Sequence, residues 1–172
     1  MTKVLVVVDM QKDFIDGSLG TKEAQAIVPT VVKEIENGNY DKVYATLDTH
    51  PDNYLETSEG RHLPVVHCVK GSEGWKLNPE VRKALDDKKA ELVEKPTFGS
   101  VDLMEKIAAD KPEEITLIGL CTDICVVSNA LLLKAALHET PIKVIAKCCA
   151  GVTPATHEAA LETMRSCQIE VV

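Results

Sequence analysis

The stretch from Glu114 to Ala130 reads EITLIGLCTDICVVSNA, and it joins two structural patterns at one point. Residues 114–120 are mostly apolar or β-branched, which is typical of a strand buried on both faces. The residues that follow have helical apolar spacing, so we predict a helix from about Asp123 to His138. A buried strand that leads into a helix is a unit of a parallel α/β sheet.

The same alternation of strands and helices runs along the whole chain. The other apolar stretches that predict strands are 3–8, 42–47, 90–95, 141–146 and 168–172. The other predicted helices are 21–38, ending at Gly38, 78–87, capped by Asn78, 100–110, capped by Ser100, and 153–167, capped by Thr153. We therefore predict one domain, residues 1–172, with a three-layer α/β/α fold and a doubly wound sheet of six mainly parallel strands. The segment 48–77 is too long for a simple loop, so we expect it to be functional or partly structured, and a lid is one possibility.

Composition excludes several classes of partner. A formal charge of −8, from 19 basic and 27 acidic residues, argues against nucleic acid or an anionic membrane as the main partner. The apolar run at the amino terminus is too short for a signal peptide, so a cytoplasmic location is expected. We accordingly expect the six cysteines to be free thiols, five of them packing residues, including Cys148 and Cys149.

Cys125 stands apart because it lies where the strand becomes the helix. A buried thiol there could simply pack, since cysteine is a good small hydrophobe. The alternative is chemical, because a helix N-terminus lowers the pKa of a thiol and offers backbone N–H groups to an oxyanion.

Polar residues follow four of the predicted strands. Asp9 follows the first, Asp48 and His50 follow the second, Lys95 ends the third, and Cys125 follows the fourth. Each could be a cap, a turn residue or a surface residue when taken alone. Because ligands bind at the carboxyl ends of the strands in such sheets, the set together predicts a cysteine nucleophile with a base, a cation and a possible metal site.

Three motifs carry a resemblance to a known family. They are VVVDMQKDF at 6–14, Lys95 with Phe98 and Ser100 after it, and GLCTDICV at 119–126. With these motifs in this order, the chain resembles the isochorismatase-like cysteine hydrolases over essentially its whole length. It resembles the nicotinamidase-like branch in particular. The resemblance implies hydrolysis of a small aromatic carboxamide to an acid and ammonia.

The resemblance also implies roles for these residues. Asp9 would take the thiol proton and return one to the leaving ammonia, while Lys95 would favour the charged forms of both partners. Cys125 would attack the amide carbonyl and form a thioester. The backbone N–H groups of Cys125 and Cys121 would form the oxyanion hole, and the Leu120–Cys121 peptide bond would be cis.

A divalent metal site is implied beside these residues. Its ligands would be Asp48, His50, Glu59 and His67, with Glu56 as the alternative to Glu59. Two imidazoles with carboxylates suit zinc, our first choice, and also iron or manganese.

The substrate contacts follow less directly. Phe14 matches one aromatic wall of the family's ring pocket, and Leu120 and Phe98 are further candidate contacts. The second wall is missing, since residues 63–66 read LPVV where the family has an aromatic. Trp75 could replace this wall or could pack the long segment against the body.

Two other functions stay open at this point. One is hydrolysis of another small amide or an N-carbamoyl compound, and the other is a non-catalytic thiol redox sensor. Relatives usually assemble as homodimers or homotetramers, which we expect here by analogy.

Overall fold

The structure, a computed structural model, describes residues 2–172 and contains one six-stranded sheet. The strands are β1 (Lys3–Val8), β2 (Lys42–Asp48), β3 (Glu91–Lys95), β4 (Glu114–Leu120), β5 (Ile142–Ala150) and β6 (Glu170–Val171). Their order across the sheet is β3-β2-β1-β4-β5-β6, and all neighbours pair in parallel. The predicted doubly wound sheet is confirmed, and it is wholly parallel.

Helices cover both faces of this sheet. They are α1 (Lys12–Ile15), α2 (Lys22–Asn37), α3 (Ser58–His62), α4 (Pro79–Asp87), α5 (Val101–Asp110), α6 (Val127–Ala136) and α7 (Pro154–Ser166). α1, α2 and α4 bury apolar residues against one face, and α5, α6 and α7 do so against the other. β1 contributes to both cores because its alternate residues, such as Leu5 and Val6, point to opposite faces.

The predicted helix starts are confirmed by their capping bonds. The side chains of Asn78, Ser100 and Thr153 each accept a hydrogen bond from a backbone N–H in the first turn of the helix. The predicted helix end at Gly38 is confirmed, since Gly38 follows α2 as its C-cap, in an extended conformation. A Cβ atom at Gly38 would overlap the Tyr40 ring, so the glycine allows a close approach.

The structure differs from the predicted bounds at the end of β5 and in the helix after β4. β5 continues to Ala150, and its extension places Cys148 in one core and Cys149 in the other. All six cysteines are free thiols. The helix after β4 begins as a wide turn, Thr122–Val126, and α6 ends at Ala136, two residues before the predicted His138.

The segment 48–77 is partly structured, as expected. It contains a 3₁₀ turn at Tyr54–Glu56 and the short helix α3, and it returns to the sheet through a bridge between His50 and Val69. The buried Tyr54 hydroxyl donates to the Leu63 carbonyl at 2.8 Å and holds the segment closed on itself. Within residues 2–172, no helix combines the length and apolar content required to cross a bilayer.

The connections place a crevice between β1 and β4. From β1 the chain winds to β2 and β3 on one side, and from β4 it winds to β5 and β6 on the other. Ligands bind at the carboxyl ends of the strands at such a switch point. β1 and β4 approach each other closely at this switch point. The approach requires a glycine at residue 119, which has φ +120° and faces the Val8 backbone.

Gly119→Ala tests this close approach. A Cβ at residue 119 would overlap the Val8 carbonyl oxygen, and the backbone conformation disfavours any side chain, so we expect a loss of about 2–4 kcal/mol in unfolding free energy. Gly71→Ala is the matched control, because Gly71 has φ +84° with open space around it and should lose about 1 kcal/mol. Urea denaturation measures both, and equal losses would contradict the role given to the Val8 contact.

Candidate active site

A buried lysine lies at the centre of the candidate site. Lys95 Nζ is 2.7 Å from Asp9 Oδ2, 3.4 Å from Cys125 Sγ and 3.6 Å from Asp48 Oδ1. It also donates to the Thr97 carbonyl at 2.9 Å. Lys95 is 1% exposed and Asp9 is fully buried, so solvent barely screens these charges. The structure therefore brings Asp9, Lys95 and Cys125 together at the switch point.

Asp9 is held by its own backbone and by Thr46. Its φ of +47° lies in the left-handed region, which non-glycine residues adopt rarely and often at functional sites. The Thr46 hydroxyl donates to Asp9 Oδ1 at 2.7 Å. Burial raises the pKa of the Asp9 carboxyl above its usual value, and the Lys95 charge opposes that rise. The sequence does not indicate Thr46 as a site residue, because Thr46 and Asp9 lie 37 positions apart in the chain and meet only through strand pairing.

Cys125 lies within the wide turn that follows β4. The Val126 N–H donates to the Cys121 carbonyl five residues earlier, at 3.0 Å. Burial and then the Asp9 charge raise the pKa of the Cys125 thiol, and Lys95 lowers it only in part. The expectation of a lowered thiol pKa is therefore wrong, because burial and the Asp9 charge outweigh the helix start and the Lys95 charge.

The Leu120–Cys121 peptide bond is cis, so this prediction is confirmed. The Leu120 side chain is fully buried in the core beneath the sheet end and does not line the cavity described below. Its assignment as a substrate contact is wrong, since a residue that ends a central strand points into the core here.

Four side chains beside the lysine form a compact group. Asp48, His50, Glu59 and His67 each offer a ligand atom, and these atoms lie within 4.8 Å of one another. Asp48 Oδ2 is 2.8 Å from His50 Nε2 and 3.4 Å from His67 Nε2, while Glu59 Oε1 is 3.6 Å from both imidazoles. Glu56, the alternative ligand, is exposed and lies outside the group.

The chemistry of this group fits a divalent cation. Asp48 Oδ2 faces both imidazoles, while the buried Oδ1 has no hydrogen-bond partner and lies toward the Lys95 ammonium group. Burial lowers the pKa of His67, but hydrogen bonds to Asp48 and Glu59 raise it to about 10, so the site strongly attracts positive charge. Burial also raises the pKa of Asp48, yet hydrogen bonds to His50 and His67 bring it below its usual range. His67 Nδ1 faces the Val65 carbonyl at 2.8 Å, an arrangement that orients a ligating imidazole.

A small apolar cavity of about 50 Å³ opens onto both groups. Its lining consists of Phe14, Leu19, Asp48, Glu59, Leu63, His67, Phe98, Cys121, Ile124 and Cys125. Leu63, Phe98 and Ile124 also border a wider outer depression, so they form its mouth. Phe14 and Phe98 therefore lie where the sequence analysis expected them. Leu63 comes from the stretch that lacks the second aromatic.

Trp75 lies elsewhere, so its assignment to the substrate site is wrong. Its indole N–H donates to Thr49 Oγ1 at 2.9 Å, and its ring borders a separate depression beside Leu47 and Leu77. The packing role considered for Trp75 is the one the structure supports. Two buried amides, Gln11 and Asn129, were also missed, although a polar side chain inside an apolar motif is a sequence signal for a bonding role.

The chain is similar to known proteins over most of its length. The model of the isochorismatase domain matches residues 3–172. An uncharacterized isochorismatase family protein, PncA of Bacillus subtilis, is 33% identical over 145 residues, covering 76% of this chain and 78% of that protein. The nicotinamidase/pyrazinamidase of Mycobacterium tuberculosis is 29% identical over 184 residues, covering 99% of this chain and 98% of that protein.

A solved structure covers the same extent. The pyrazinamidase of Pyrococcus horikoshii, in complex with zinc, matches with a TM-score of 0.79 and 27% identity over 100% of this chain and 99% of that one. The structural likeness extends over the whole of the fold described above. The chain belongs to the isochorismatase family.

Proposed function

We propose that the protein is a cysteine amidohydrolase of nicotinamidase type, which hydrolyses a small aromatic carboxamide to an acid and ammonia. The observation that carries this proposal is the contact of Lys95 Nζ with both Asp9 and Cys125 beneath an apolar cavity, beside four potential metal ligands. Relatives over nearly the whole chain bear nicotinamidase and pyrazinamidase names, which supports the same reaction class.

In this proposal Asp9 acts as the base for Cys125. The resting thiol is protonated because burial and Asp9 raise its pKa, so it needs a base as it attacks the amide carbon. The raised pKa of Asp9 suits a group that must accept a proton and later return it. Lys95 stays charged and compensates whichever neighbour is anionic at each stage.

The remaining steps use the turn after β4. As the Cys125 sulfur bonds to the carbonyl carbon, the oxygen gains negative charge and is stabilised by the backbone N–H groups of Cys121 and Cys125. Asp9 then gives its proton to the amide nitrogen, the C–N bond breaks, and ammonia leaves a thioester. Asp9 next takes a proton from water, which attacks the thioester carbon. Asp9 then gives this proton to the departing Cys125 sulfur, so that the acid is released and the thiol is restored.

Asp48, His50, Glu59 and His67 are proposed to hold the divalent metal. Once Asp9 is paired with Lys95, the carboxylates of Asp48 and Glu59 remain to balance the two charges of a cation. When bound there, the ion supplies a Lewis acid for the ring nitrogen of a heteroaromatic amide. We propose zinc first, because the ligands suit it and a homologous pyrazinamidase structure contains it, with iron and manganese as alternatives.

The lining of the cavity favours an uncharged, flat substrate. Phe14 offers an aromatic face, and Leu63 offers an aliphatic one where a second aromatic was expected. Among residues 2–172, no lysine or arginine lines the cavity, and the nearest cation, Lys95, is already paired. An N-carbamoyl acid would bring an unpaired carboxylate into this pocket, which disfavours that alternative.

A redox sensor is also disfavoured. Sensor cysteines have a low pKa and are accessible, whereas Cys125 is buried and its pKa is raised. The single domain, the homodimer or homotetramer and the cytoplasmic location stay predictions from the sequence and its resemblance.

Asp9→Asn tests the pairing of Asp9 with the thiol. The variant removes the base that takes the thiol proton in this proposal, so alkylation of Cys125 by iodoacetamide at pH 7 should become slower. Amide hydrolysis should fall by about 10²–10⁴-fold, because the base is lost. Mass spectrometry of the Cys125 peptide measures the alkylation.

Lys95→Met should slow the same alkylation as well, because the Lys95 charge lowers the thiol pKa. Unchanged or faster alkylation in Asp9→Asn would contradict the role of Asp9 as the base for the thiol.

Ammonia release from nicotinamide tests the proposed reaction. Zinc-loaded protein should hydrolyse nicotinamide, and Cys125→Ala should lose about 10³-fold or more of this rate. Removal of metal with a chelator should abolish activity, and added zinc should restore it. Benzamide, which lacks the ring nitrogen, should be a poorer substrate.

Three results would contradict parts of this proposal. Full activity of Cys125→Ala would contradict the thioester mechanism. Faster hydrolysis of N-carbamoyl amino acids than of any uncharged amide would contradict the substrate class. Activity unaffected by the chelator would contradict the metal requirement alone and retain the roles of Asp9, Lys95 and Cys125.

A further inference from the structure

Two buried side-chain amides flank the candidate site, one on each side. Gln11 is fully buried and Asn129 is 1% exposed. Each makes three hydrogen bonds, all of them to backbone groups, with two donated and one accepted. The two amides therefore make equivalent sets of hydrogen bonds at different positions, so a variant of one serves as the control for a variant of the other.

Gln11 holds the metal side of the site. Its Nε2 donates to the carbonyls of Asp48 and Trp75, and its Oε1 accepts from the Asp48 N–H, all at 2.8 Å. One side chain thus bonds both peptide groups of Asp48 and fixes the position and direction of that residue. Gln11 is also close to Asp9 in the chain, since its N–H donates to the Asp9 carbonyl at 2.8 Å.

Asn129 holds the thiol side. Its Nδ2 donates to the carbonyls of Cys125 at 2.8 Å and Phe98 at 3.1 Å, and its Oδ1 accepts from the Ser100 N–H at 2.8 Å. It therefore ties the turn that carries the thiol to the loop that follows Lys95. None of its three hydrogen bonds reaches Asp48, His50, Glu59 or His67.

We propose that Gln11 is a positioning residue for cation binding, which acts by holding the Asp48 backbone; this inference rests on the proposed metal site. Asp48 Oδ2 is the atom that faces both His50 and His67, so a shift of the Asp48 backbone displaces an oxygen shared by the group. Ligand distances must be kept within about 0.2 Å for tight binding. By fixing the Asp48 backbone, Gln11 therefore also fixes the spacing of the whole ligand set.

The experiment compares Gln11→Met with Asn129→Leu. Each replaces a buried amide by an apolar side chain of similar size and leaves two carbonyls and one N–H without their partner. Gln11→Glu is the conservative variant, because it keeps the acceptor for the Asp48 N–H and loses both donors. Zinc affinity is measured by competition with a chromophoric chelator, alongside thermal unfolding and amide hydrolysis.

We expect Gln11→Met to weaken zinc binding by about 10- to 100-fold, with Gln11→Glu in between. Asn129→Leu should change zinc affinity by no more than about twofold. Both should lower the unfolding temperature to a similar extent. Excess zinc should restore much of the hydrolysis in Gln11→Met and none in Asn129→Leu, because the latter disturbs the thiol side.

Equal loss of zinc affinity in Gln11→Met and Asn129→Leu would overturn the inference, since Gln11 would then only support the fold. Unchanged affinity in Gln11→Met would overturn it as well. If the unmodified protein and Asp48→Ala bound zinc equally weakly, the proposed metal site itself would fail, and the role of Gln11 with it. The first two outcomes retain tight zinc binding by the unmodified protein, so the two failures are distinguishable.

Discussion

The buried ammonium group of Lys95 is the constraint on which the site depends. A lysine can be buried only when opposite charges and hydrogen bonds replace its water. Burial alone lowers the pKa of Lys95, but Asp9, Cys125 and Asp48 raise it above its usual value, so the group stays charged. These partners follow three different strands, and removing one side of such a buried pair costs about 3–5 kcal/mol. The charge of Lys95 therefore holds together, at the sheet edge, the side chains that carry the proposed chemistry.

The sheet edge also explains why the thiol and the metal group lie side by side. The carboxyl ends of β1, β2 and β3 supply Asp9, Asp48 and Lys95, and the turn after β4 supplies Cys125. The long segment after β2 then folds over this edge and adds Glu59, Leu63 and His67. The result is a small, mostly apolar cavity with charged groups at its inner end, which suits an uncharged amide that develops charge only as it reacts.

Much of this arrangement is predictable from the sequence, because it follows from local patterns. Apolar runs predict the strands, capping residues predict the helix starts, and the residues just past the strands are brought to one edge by parallel pairing. The resemblance added Glu59 and the cis bond at Leu120–Cys121, which no pattern of residues indicates by itself. What could not be predicted depends on contacts across the fold. Trp75 packs on Thr49, Thr46 reaches Asp9 from another strand, and the thiol pKa reflects burial that only the folded chain sets.

The most direct test of the account is to trap the covalent intermediate on the protein. Zinc-loaded protein would be mixed with a slowly hydrolysed aromatic amide, quenched in acid within milliseconds to seconds, and examined by intact and peptide mass spectrometry. The account predicts an acyl group bound to Cys125, which forms as ammonia is released, decays as the acid appears, and is absent in Asp9→Asn. Steady hydrolysis with no acyl group on Cys125 at any time, or with the group on Cys121 instead, would contradict it.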